Sequence, residues 1–295
     1  MKYALLILLL NLLLAAPILA EGKNAPGHIQ VGEFSVYPIL DRQSVMKAEL
    51  FSGPLSQEER LRFMPGGQAP ASVNIFLIKS PRGNYLIDCG WGGAIKGEDL
   101  LPARLKEAGV AFEDIDLVFL THMHPDHIGG LMQGAGAVMP KAKIWVDETE
   151  LAHWLYGPKA DAGKGIQARL AEAYDGRILL FKPDQEIVPG LTAVKAEGHT
   201  LGHTVFSLFS QGQEMLFVGD IIHAAALRFP NPYECAEYDD DRAKAVESRR
   251  RVLDLAAKGD LLIGGAHIPY PGLGRVAEEG QGYAFTPAPH SEFAE

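Results

Sequence analysis

The chain has 295 residues and a formal net charge of −10, and 47% of its residues are hydrophobic. This length allows one large domain or two small ones. The acidic balance argues against nucleic acid as a partner, because phosphates require basic patches. Cys89 and Cys235 are too few for a disulfide scaffold. We therefore expect two small core residues, with one disulfide as the alternative.

The first twenty residues have the composition of a secretory signal peptide. Lys2 precedes a long apolar run that ends in small residues at Ala20. The run contains Asn11 and Pro17 and is barely long enough to cross a bilayer, so we predict cleavage after Ala20 rather than a retained anchor. The sequence thus predicts a signal peptide over 1–20, one domain over 21–295, and export to the periplasm or the medium.

Strand and helix patterns alternate along the rest of the chain, with hairpins among them. Residues 72–79 and 84–88 are β-rich runs joined by a Ser-Pro-Arg-Gly turn. Helical spacing covers 98–108 and ends at Gly109. Further strands are predicted at 115–120, 144–146, 191–196, 204–209, 214–218 and 261–263, and further helices at 149–156, 167–174 and 239–257. The order indicates an α/β protein with mixed sheets.

Two segments carry additional predictions. The helix at 239–257 is expected to turn four apolar residues inward, namely Ala243, Val246, Leu253 and Ala257. Residues 50–64 are predicted to form either a lid over a pocket or the arm of a homodimer.

The segment His-Met-His-Pro-Asp-His follows the predicted strand 115–120 and contains His122, His124, Asp126 and His127. Imidazole and carboxylate groups are common ligands of zinc and similar divalent ions. Such a dense cluster is costly to bury unless something pairs with it. His122 and His124 are two residues apart and can point to one ion, while Asp126 and His127 could serve another. The pattern suggests a two-metal site.

Metal-type side chains also follow three later strands. His199 and His203 lie in Gly-His-Thr-Leu-Gly-His, Asp220 follows Phe-Val-Gly, and His267 follows Gly-Gly-Ala. Ligands of α/β folds bind where strand ends meet, so we expect these side chains to converge. Only one of His199 and His203 needs to bind metal, since the other could orient a neighbour. Asp220 is either a turn residue or a carboxylate shared by two ions.

The ordered set of H-x-H-x-D-H, G-H-T-x-G-H, Gly-Asp and a late histidine resembles the metallo-β-lactamase superfamily over about residues 72–267. The resemblance implies a four-layer αββα sandwich with the site along one edge of the paired sheets. It also implies a role for each donor: one ion held by His122, His124 and His199, a second held by Asp126, His127 and His267, Asp220 bridging both, and His203 orienting a neighbour.

The ions and the reaction follow from the same resemblance. Zinc is the default for nitrogen and oxygen ligands, with iron, manganese and cobalt as alternatives. The zinc β-lactamases of the commonest class carry cysteine where this chain has Asp220, which argues against β-lactam hydrolysis. A carboxylate at that position is typical of lactonases, thioesterases and related hydrolases.

The last third resembles exported methyl parathion hydrolases and their lactonase or arylesterase relatives, through GDIIHAAALRFP at 219–230 and GAHIPYPGLG at 265–274. This implies a hydroxide bridging two ions that attacks a lactone or aryl ester. A phosphotriester hydrolase is the alternative, and a non-catalytic exported metal-binding protein is the alternative from another class. Asp126 is predicted to relay a proton, and His223 either contacts a substrate oxygen or is a surface histidine.

Four apolar or aromatic residues are candidates for the substrate pocket, with a core position as the alternative for each: Phe63, Trp154, Phe229 and Tyr270. Together with the negative charge of the chain, they favour a neutral, fairly hydrophobic small molecule as substrate.

Overall fold

The computed structural model describes residues 27–94, 99–160 and 165–294. Within these ranges the α-helices are α1 (Gln57–Phe63), α2 (Leu101–Glu107), α3 (Pro125–Ile128), α4 (Glu148–Tyr156), α5 (Ile166–Ala173), α6 (Ala225–Arg228) and α7 (Arg242–Gly259). The strands are β1 (Ile29–Val31), β2 (Phe34–Lys47), β3 (Phe51–Ser52), β4 (Gln68–Ser80), β5 (Gly83–Ile87), β6 (Ile115–Phe119), β7 (Met132–Gln133), β8 (Gly136–Ala137), β9 (Lys143–Asp147), β10 (Ile178–Phe181), β11 (Gln185–Val188), β12 (Leu191–Lys195), β13 (Thr204–Ser210), β14 (Gln213–Gly219), β15 (Cys235–Ala236), β16 (Leu262–Gly265), β17 (Leu273–Glu279) and β18 (Gly282–Pro287).

Two seven-stranded mixed sheets form the body of the protein. The N-terminal sheet has the order β1-β2-β4-β5-β6-β9-β10, and the C-terminal sheet has the order β11-β12-β13-β14-β16-β17-β18. Strands β5, β6, β9 and β10 pair in parallel, whereas β1, β2, β4 and β5 pair in antiparallel fashion. In the C-terminal sheet only the pair of β14 and β16 is parallel. Both sheets are therefore mixed, as predicted.

Strand β4 shows how the sheets are stacked. Successive side chains of a strand point to opposite faces. Accordingly, Ile75 and Leu77 join the core on the outer side of the N-terminal sheet, while Phe76 and Ile78 join the core between the sheets. Phe76 meets Phe217 of the other sheet with ring centroids 5.2 Å apart. A strand buried on both faces fits the near-continuous apolar run that predicted it.

Helices cover the outer faces of both sheets. Leu101 of α2 and Leu170 of α5 complete the outer core of the N-terminal sheet. Val252 and Leu253 of α7 complete the outer core of the C-terminal sheet. The layers are thus helix, sheet, sheet and helix, which confirms the predicted four-layer αββα sandwich.

The inner face predicted for the last helix is right in part, because Leu253 is buried and Ala257 packs on the outer core, whereas Ala243 points to solvent. Helix α7 begins at Arg242, where the Asp241 side chain accepts a hydrogen bond from the backbone N–H of Lys244 at 3.1 Å. Its buried residues are Ala245, Ser248, Arg249, Val252, Leu253 and Ala256, and Ala243 is exposed. Two of these are polar, and Arg249 Nε donates to the carbonyl of Ile221 at 2.9 Å. Counting apolar residues alone therefore missed the polar part of the buried face.

The segment at 50–64 is attached to the body at two points. Strand β3 pairs with β15, and Arg60 Nε of α1 donates to Glu234 Oε2 at 2.7 Å in a buried ion pair. A lid or dimer arm at this place stays a prediction. Cys89 and Cys235 are both free and buried, as expected of core residues.

The predicted signal peptide over 1–20 lies outside the described residues. No helix in the described part of the chain is long and apolar enough to cross a membrane.

Candidate metal centre

The candidate ligands come from loops at one edge of the two sheets. Strand β6 leads into His122, and the single turn of α3 carries Asp126 and His127. His199 lies in the turn between β12 and β13, while Asp220 and His267 follow the parallel neighbours β14 and β16. Because parallel strands end at the same edge, these loops lie together. The structure brings all seven predicted metal ligands into two adjoining groups.

The first group consists of three imidazole nitrogens and one carboxylate oxygen. His124 Nδ1 lies 3.0 Å from both His122 Nε2 and His199 Nε2. Asp220 Oδ2 lies 3.1 Å from His199 Nε2 and 3.7 Å from His122 Nε2. Ligands of a tetrahedral zinc ion, bonded at about 2.0–2.1 Å, are roughly 3.3 Å from one another. The spacing of the first group therefore suits a single ion.

The second group uses the other oxygen of Asp220. Asp220 Oδ1 lies 3.1 Å from His127 Nε2 and 3.3 Å from His267 Nε2. Asp126 Oδ2 lies 3.3 Å from His267 Nε2 and 3.8 Å from His127 Nε2. Asp220 thus presents one oxygen to each group, which is the arrangement that a bridging carboxylate requires.

Acceptors on the far side of three rings fix which nitrogen faces the centre. The Nδ1 atom of His127 lies 2.8 Å from Asp88 Oδ2, and that of His199 lies 3.0 Å from Asp239 Oδ1. The Nδ1 atom of His267 lies 2.9 Å from the carbonyl oxygen of Ser72. Carboxylates and carbonyls only accept hydrogen bonds, so each Nδ1 must carry a proton. In the neutral rings the Nε2 lone pairs then point into the centre, as metal ligation requires.

The buried donor atoms of the centre favour a bound positive charge. Within the described part of the chain, the buried atoms Asp220 Oδ1 and His127 Nε2 lie 3.1 Å apart, but neither makes a hydrogen bond of regular geometry. Burial alone lowers the pKa of His199 and His267, but the charge of Asp220 outweighs it and raises these pKa values to about 9 and about 10. Protonated His199 and His267 therefore balance the negative charge of Asp220 when no metal is bound. A divalent ion can replace them, so the nitrogen and oxygen donors fit a metal of the zinc type.

The hydrogen bonds of His203 go to the backbone and not to the donor atoms. Its Nδ1 lies 3.1 Å from the carbonyl oxygen of Ala196 and must donate to it. Its Nε2 then accepts a hydrogen bond from the backbone N–H of Asp220 at 3.0 Å. His203 thereby holds Asp220 in place, as the resemblance implied.

His223 is buried beside the donor groups, so the surface alternative for this residue is wrong. It is 1% exposed, and its Nε2 lies 3.0 Å from Asp220 Oδ2. On its other side, Arg228 Nη1 lies 2.8 Å from His223 Nδ1. The ring also stacks on that of His267 with centroids 4.8 Å apart.

Sequence reasoning missed the carboxylates that support the ligands. Asp88, at the end of β5, accepts hydrogen bonds from the backbone and side chain of Thr121 at 2.8 and 2.7 Å besides contacting His127. Asp239 holds His199. The position of Asp88 as the last residue of a predicted strand was an available signal. Asp239 was the first residue of a predicted helix and gave none.

Glu150 was also missed, and it joins the two ligand loops. Its buried carboxylate accepts hydrogen bonds from the backbone N–H of Met123, at 2.8 Å, and of Gly202, at 3.0 Å. It also accepts from Trp154 Nε1 at 2.7 Å. One side chain thus fixes the loop of His122, the loop of His199 and an aromatic residue at the site.

Two of the four pocket candidates have clear positions. The Trp154 ring lies 5.5 Å from that of His124, beside the donors. Phe229 is 2% exposed and stacks on Phe285 at 4.8 Å in the core under α7. The pocket prediction is therefore wrong for Phe229, because the chain after α6 turns this side chain away from the site and into the core.

Phe63 and Tyr270 are half-buried, and a tyrosine that the sequence analysis missed lies beside the donors. Phe63 packs on a small core cluster that also includes Tyr238. The Tyr238 ring lies 5.0 Å from that of His223 and 5.8 Å from that of His199. The Tyr270 backbone N–H donates to Ser72 Oγ at 2.9 Å.

Comparison with known proteins identifies the family. The family described as the metallo-beta-lactamase superfamily matches residues 69–267. The chain therefore belongs to the metallo-beta-lactamase superfamily, as its donor motifs and its four-layer fold indicate.

Individual relatives share at most about a third of their residues with the matched parts of this chain in the following examples. The structure of hydrolase AbOPH of the beta lactamase superfamily has a TM-score of 0.81 and 28% identity, covering 90% of this chain and 99% of that one. AidC, a dizinc quorum-quenching lactonase, has the same fold, with a TM-score of 0.81 at 24% identity over 90% of this chain and 99% of its own. The anti-Pycsar protein Apyc1 of Paenibacillus harenae is 30% identical over 111 residues, which are 36% of this chain and 43% of the relative. The chain spans about half the length of such curated relatives.

Proposed function

We propose that this protein is a metal-dependent hydrolase that binds two divalent ions and cleaves a lactone or aryl ester in a neutral, fairly hydrophobic substrate. One observation carries the proposal: the two oxygens of Asp220 face two separate groups of imidazole nitrogens, at 3.1 Å from His199 and 3.1 Å from His127. A carboxylate placed between two such groups is suited to two ions rather than one.

The donors divide between the ions as follows: His122, His124 and His199 for one, Asp126, His127 and His267 for the other, and Asp220 for both. When bound, such ions supply Lewis acidity toward a substrate oxygen and lower the pKa of water at the site. Asp126 has an 18% exposed side chain, against 3% for Asp220. Asp126 is therefore the carboxylate that can exchange a proton between the site and solvent. His223 Nε2, beside Asp220, is the group proposed to contact a substrate oxygen.

The walls of the site support a neutral substrate. Trp154 lies against His124, and Tyr238 lies against His199 and His223. Aromatic rings favour apolar groups of a ligand. The overall charge of −10 disfavours an anion. An ester with an apolar acyl or aryl part fits both properties.

The test is metal analysis combined with a substrate panel. We expect about two zinc ions per chain and turnover of an acyl lactone or an aryl ester; the lactone is the first choice because AidC is described as a lactonase. A phosphotriester completes the panel, and turnover of it alone would favour the alternative phosphotriester hydrolase. His124→Ala serves as the control and should lose both zinc and activity. Two bound zinc ions without turnover of any of the three substrates would instead indicate a non-catalytic metal-binding protein.

We also propose that the protein is exported, on the basis of the composition of residues 1–20. Expression of the full chain in a secreting bacterial host, followed by N-terminal sequencing of the exported protein, should give a chain that starts at Glu21. Recovery of the uncleaved chain from the membrane fraction would contradict this.

A further inference from the structure

Arg228 is a fully buried guanidinium next to the metal centre. It is 0% exposed and lies at the end of α6. Its Nη1 lies 2.8 Å from His223 Nδ1, and its Nη2 lies 3.4 Å from Asp239 Oδ2. Its Nε has no hydrogen-bond partner among the described residues. Burying this charge is costly, and the direct contacts to His223 and Asp239 suggest a role at the site.

The contact with Arg228 determines where His223 carries its proton. A guanidinium has five N–H donors, no acceptor, and stays charged in proteins. His223 Nδ1 must therefore accept the hydrogen bond from Arg228. A neutral imidazole then has its proton on Nε2. That proton points at Asp220 Oδ2, 3.0 Å away.

His223 thus has the opposite tautomer to three of the proposed ligands around it. The Nδ1 atoms of His127, His199 and His267 face acceptors, which leaves their Nε2 lone pairs free for metal. His223 Nε2 is also within reach of an ion, because it groups with Asp220 and His267. Without Arg228, the same ring could turn a lone pair toward that position and become an additional ligand.

We propose that Arg228 is a positioning residue that holds His223 in the Nε2–H tautomer, so that His223 remains a hydrogen-bond donor at the centre and stays out of metal coordination. The proposal rests on the metal centre of the proposed function. It assigns different tasks to two chemically equivalent side chains, with His267 as ligand and His223 as donor.

The effect of Arg228 on His223 can be separated from its effect on Asp239. Asp239 Oδ2 also accepts a hydrogen bond from the backbone N–H of Ala236 at 2.9 Å, and Arg249 Nη2 lies 3.7 Å away. Asp239 therefore keeps partners when Arg228 is replaced. The tautomer of His199 should then stay unchanged, and His199 serves as an internal reference.

The experiment is long-range ¹H–¹⁵N NMR of the zinc-loaded full chain labelled with ¹⁵N-histidine, together with zinc analysis. In the unmodified protein, His223 should show a protonated Nε2 and an unprotonated, metal-free Nδ1. Arg228→Lys, which still only donates, should keep this pattern. Arg228→Met, which has no donor, should shift His223 to a protonated Nδ1 or a zinc-bound Nε2 while His199 keeps its signals.

A second variant keeps the test decisive if Arg228→Met does not fold. His223→Gln places an amide N–H near the Nε2 position. We expect His223→Gln to retain the zinc content of the parent and to compete for zinc with a chelator as the parent does.

Three results would overturn the inference: a zinc-bound Nε2 on His223 in the unmodified protein, an unchanged His223 tautomer in Arg228→Met, or loss of one zinc ion in His223→Gln. Each of them leaves the hydrolase proposal intact if the unmodified protein binds zinc and turns over a substrate. A chain that binds no zinc at all contradicts the proposed function as well.

Discussion

The orientation of single side chains decides what the candidate centre can bind. Asp88, Asp239 and the carbonyl of Ser72 each accept a hydrogen bond from the Nδ1–H of one histidine. Arg228 instead donates a hydrogen bond to Nδ1 of His223. Imidazole rings with equal composition are therefore sorted into ligands and donor by the group on their far side. Neither the acceptors nor the arginine belong to the histidine motifs.

Replacing Asp88 should weaken metal binding without removing a ligand. In Asp88→Asn the side-chain amide can donate toward His127 Nδ1, which favours the wrong tautomer. Loss of such a partner typically lowers metal affinity about 10- to 100-fold. Competition with a chromophoric zinc chelator measures the change. Glu58→Gln, at a side chain 84% exposed, is the control and should bind zinc as the parent does. Equal affinity in Asp88→Asn would contradict the role of Asp88.

Replacing Asp220 tests the shared carboxylate directly. Asp220→Asn keeps the shape of the side chain but removes its charge and one of its two oxygens. We expect the zinc content to fall from about two ions per chain to one or fewer. One of the two groups then faces an amide nitrogen in place of the Asp220 oxygen. Elemental analysis after dialysis gives the stoichiometry. Two ions retained in the variant would show that Asp220 does not hold them together.

At the scale of elements, short segments outside the sheets hold the site in shape. Strand β3 and helix α1 attach to the chain at β15, just before Tyr238 and Asp239. Glu234 Oε1 also accepts a hydrogen bond from the backbone N–H of Leu55 at 3.0 Å. The buried pair of Arg60 and Glu234 thus ties the segment at 50–64 to the loop that supports His199.

Breaking this pair should destabilise the protein. Arg60→Met leaves Glu234 buried without its charged partner, and both side chains are shielded, at 10% and 0% exposure. Such a loss costs about 3–5 kcal/mol in the free energy of unfolding. Urea denaturation measures it. Arg62→Met is the matched control, since Arg62 pairs with Glu58 at 70% and 84% exposure and should change stability little. Equal stabilities of the two variants would contradict the structural role of Arg60.

At the scale of the whole molecule, the aromatic layer between the sheets keeps the two halves of the site together. Three donors, His199, Asp220 and His267, follow strands of the C-terminal sheet, while the other four lie just after β6 of the N-terminal sheet. Phe76 and Phe217 meet across the layer. The two groups of donors can share Asp220 only if the sheets keep this contact.

Removing one ring from the layer should reduce stability. Phe76 is 2% exposed, and Phe76→Ala is expected to lower the free energy of unfolding by about 3–5 kcal/mol through lost burial and a cavity. Phe209→Ala, at a ring 55% exposed in β13, is the matched control and should change it far less. Urea denaturation of both variants measures the difference. A small loss for Phe76→Ala would show that the layer relaxes around the cavity.

The sequence predicted the regular parts of the fold because they depend on local patterns. Apolar runs located β4, β6 and β14 within a few residues. The inner face of α7 was predicted only in part, because Ser248 and Arg249 are buried through hydrogen bonds to distant backbone groups. The long strand β2 was not predicted, since its pairing with β4 extends over residues with no continuous apolar pattern.

The sequence by itself determined the donor set of the candidate centre: four donors lie within six residues, and the others follow strands that must end at one edge of the sheets. Only the tertiary structure decided how those donors are divided and oriented. Asp220 faces both groups, and Arg228 sets the proton of His223, through contacts between segments far apart in the chain. The candidate ligands can be recognised in local sequence, whereas the position of their protons depends on what packs against the far side of each ring.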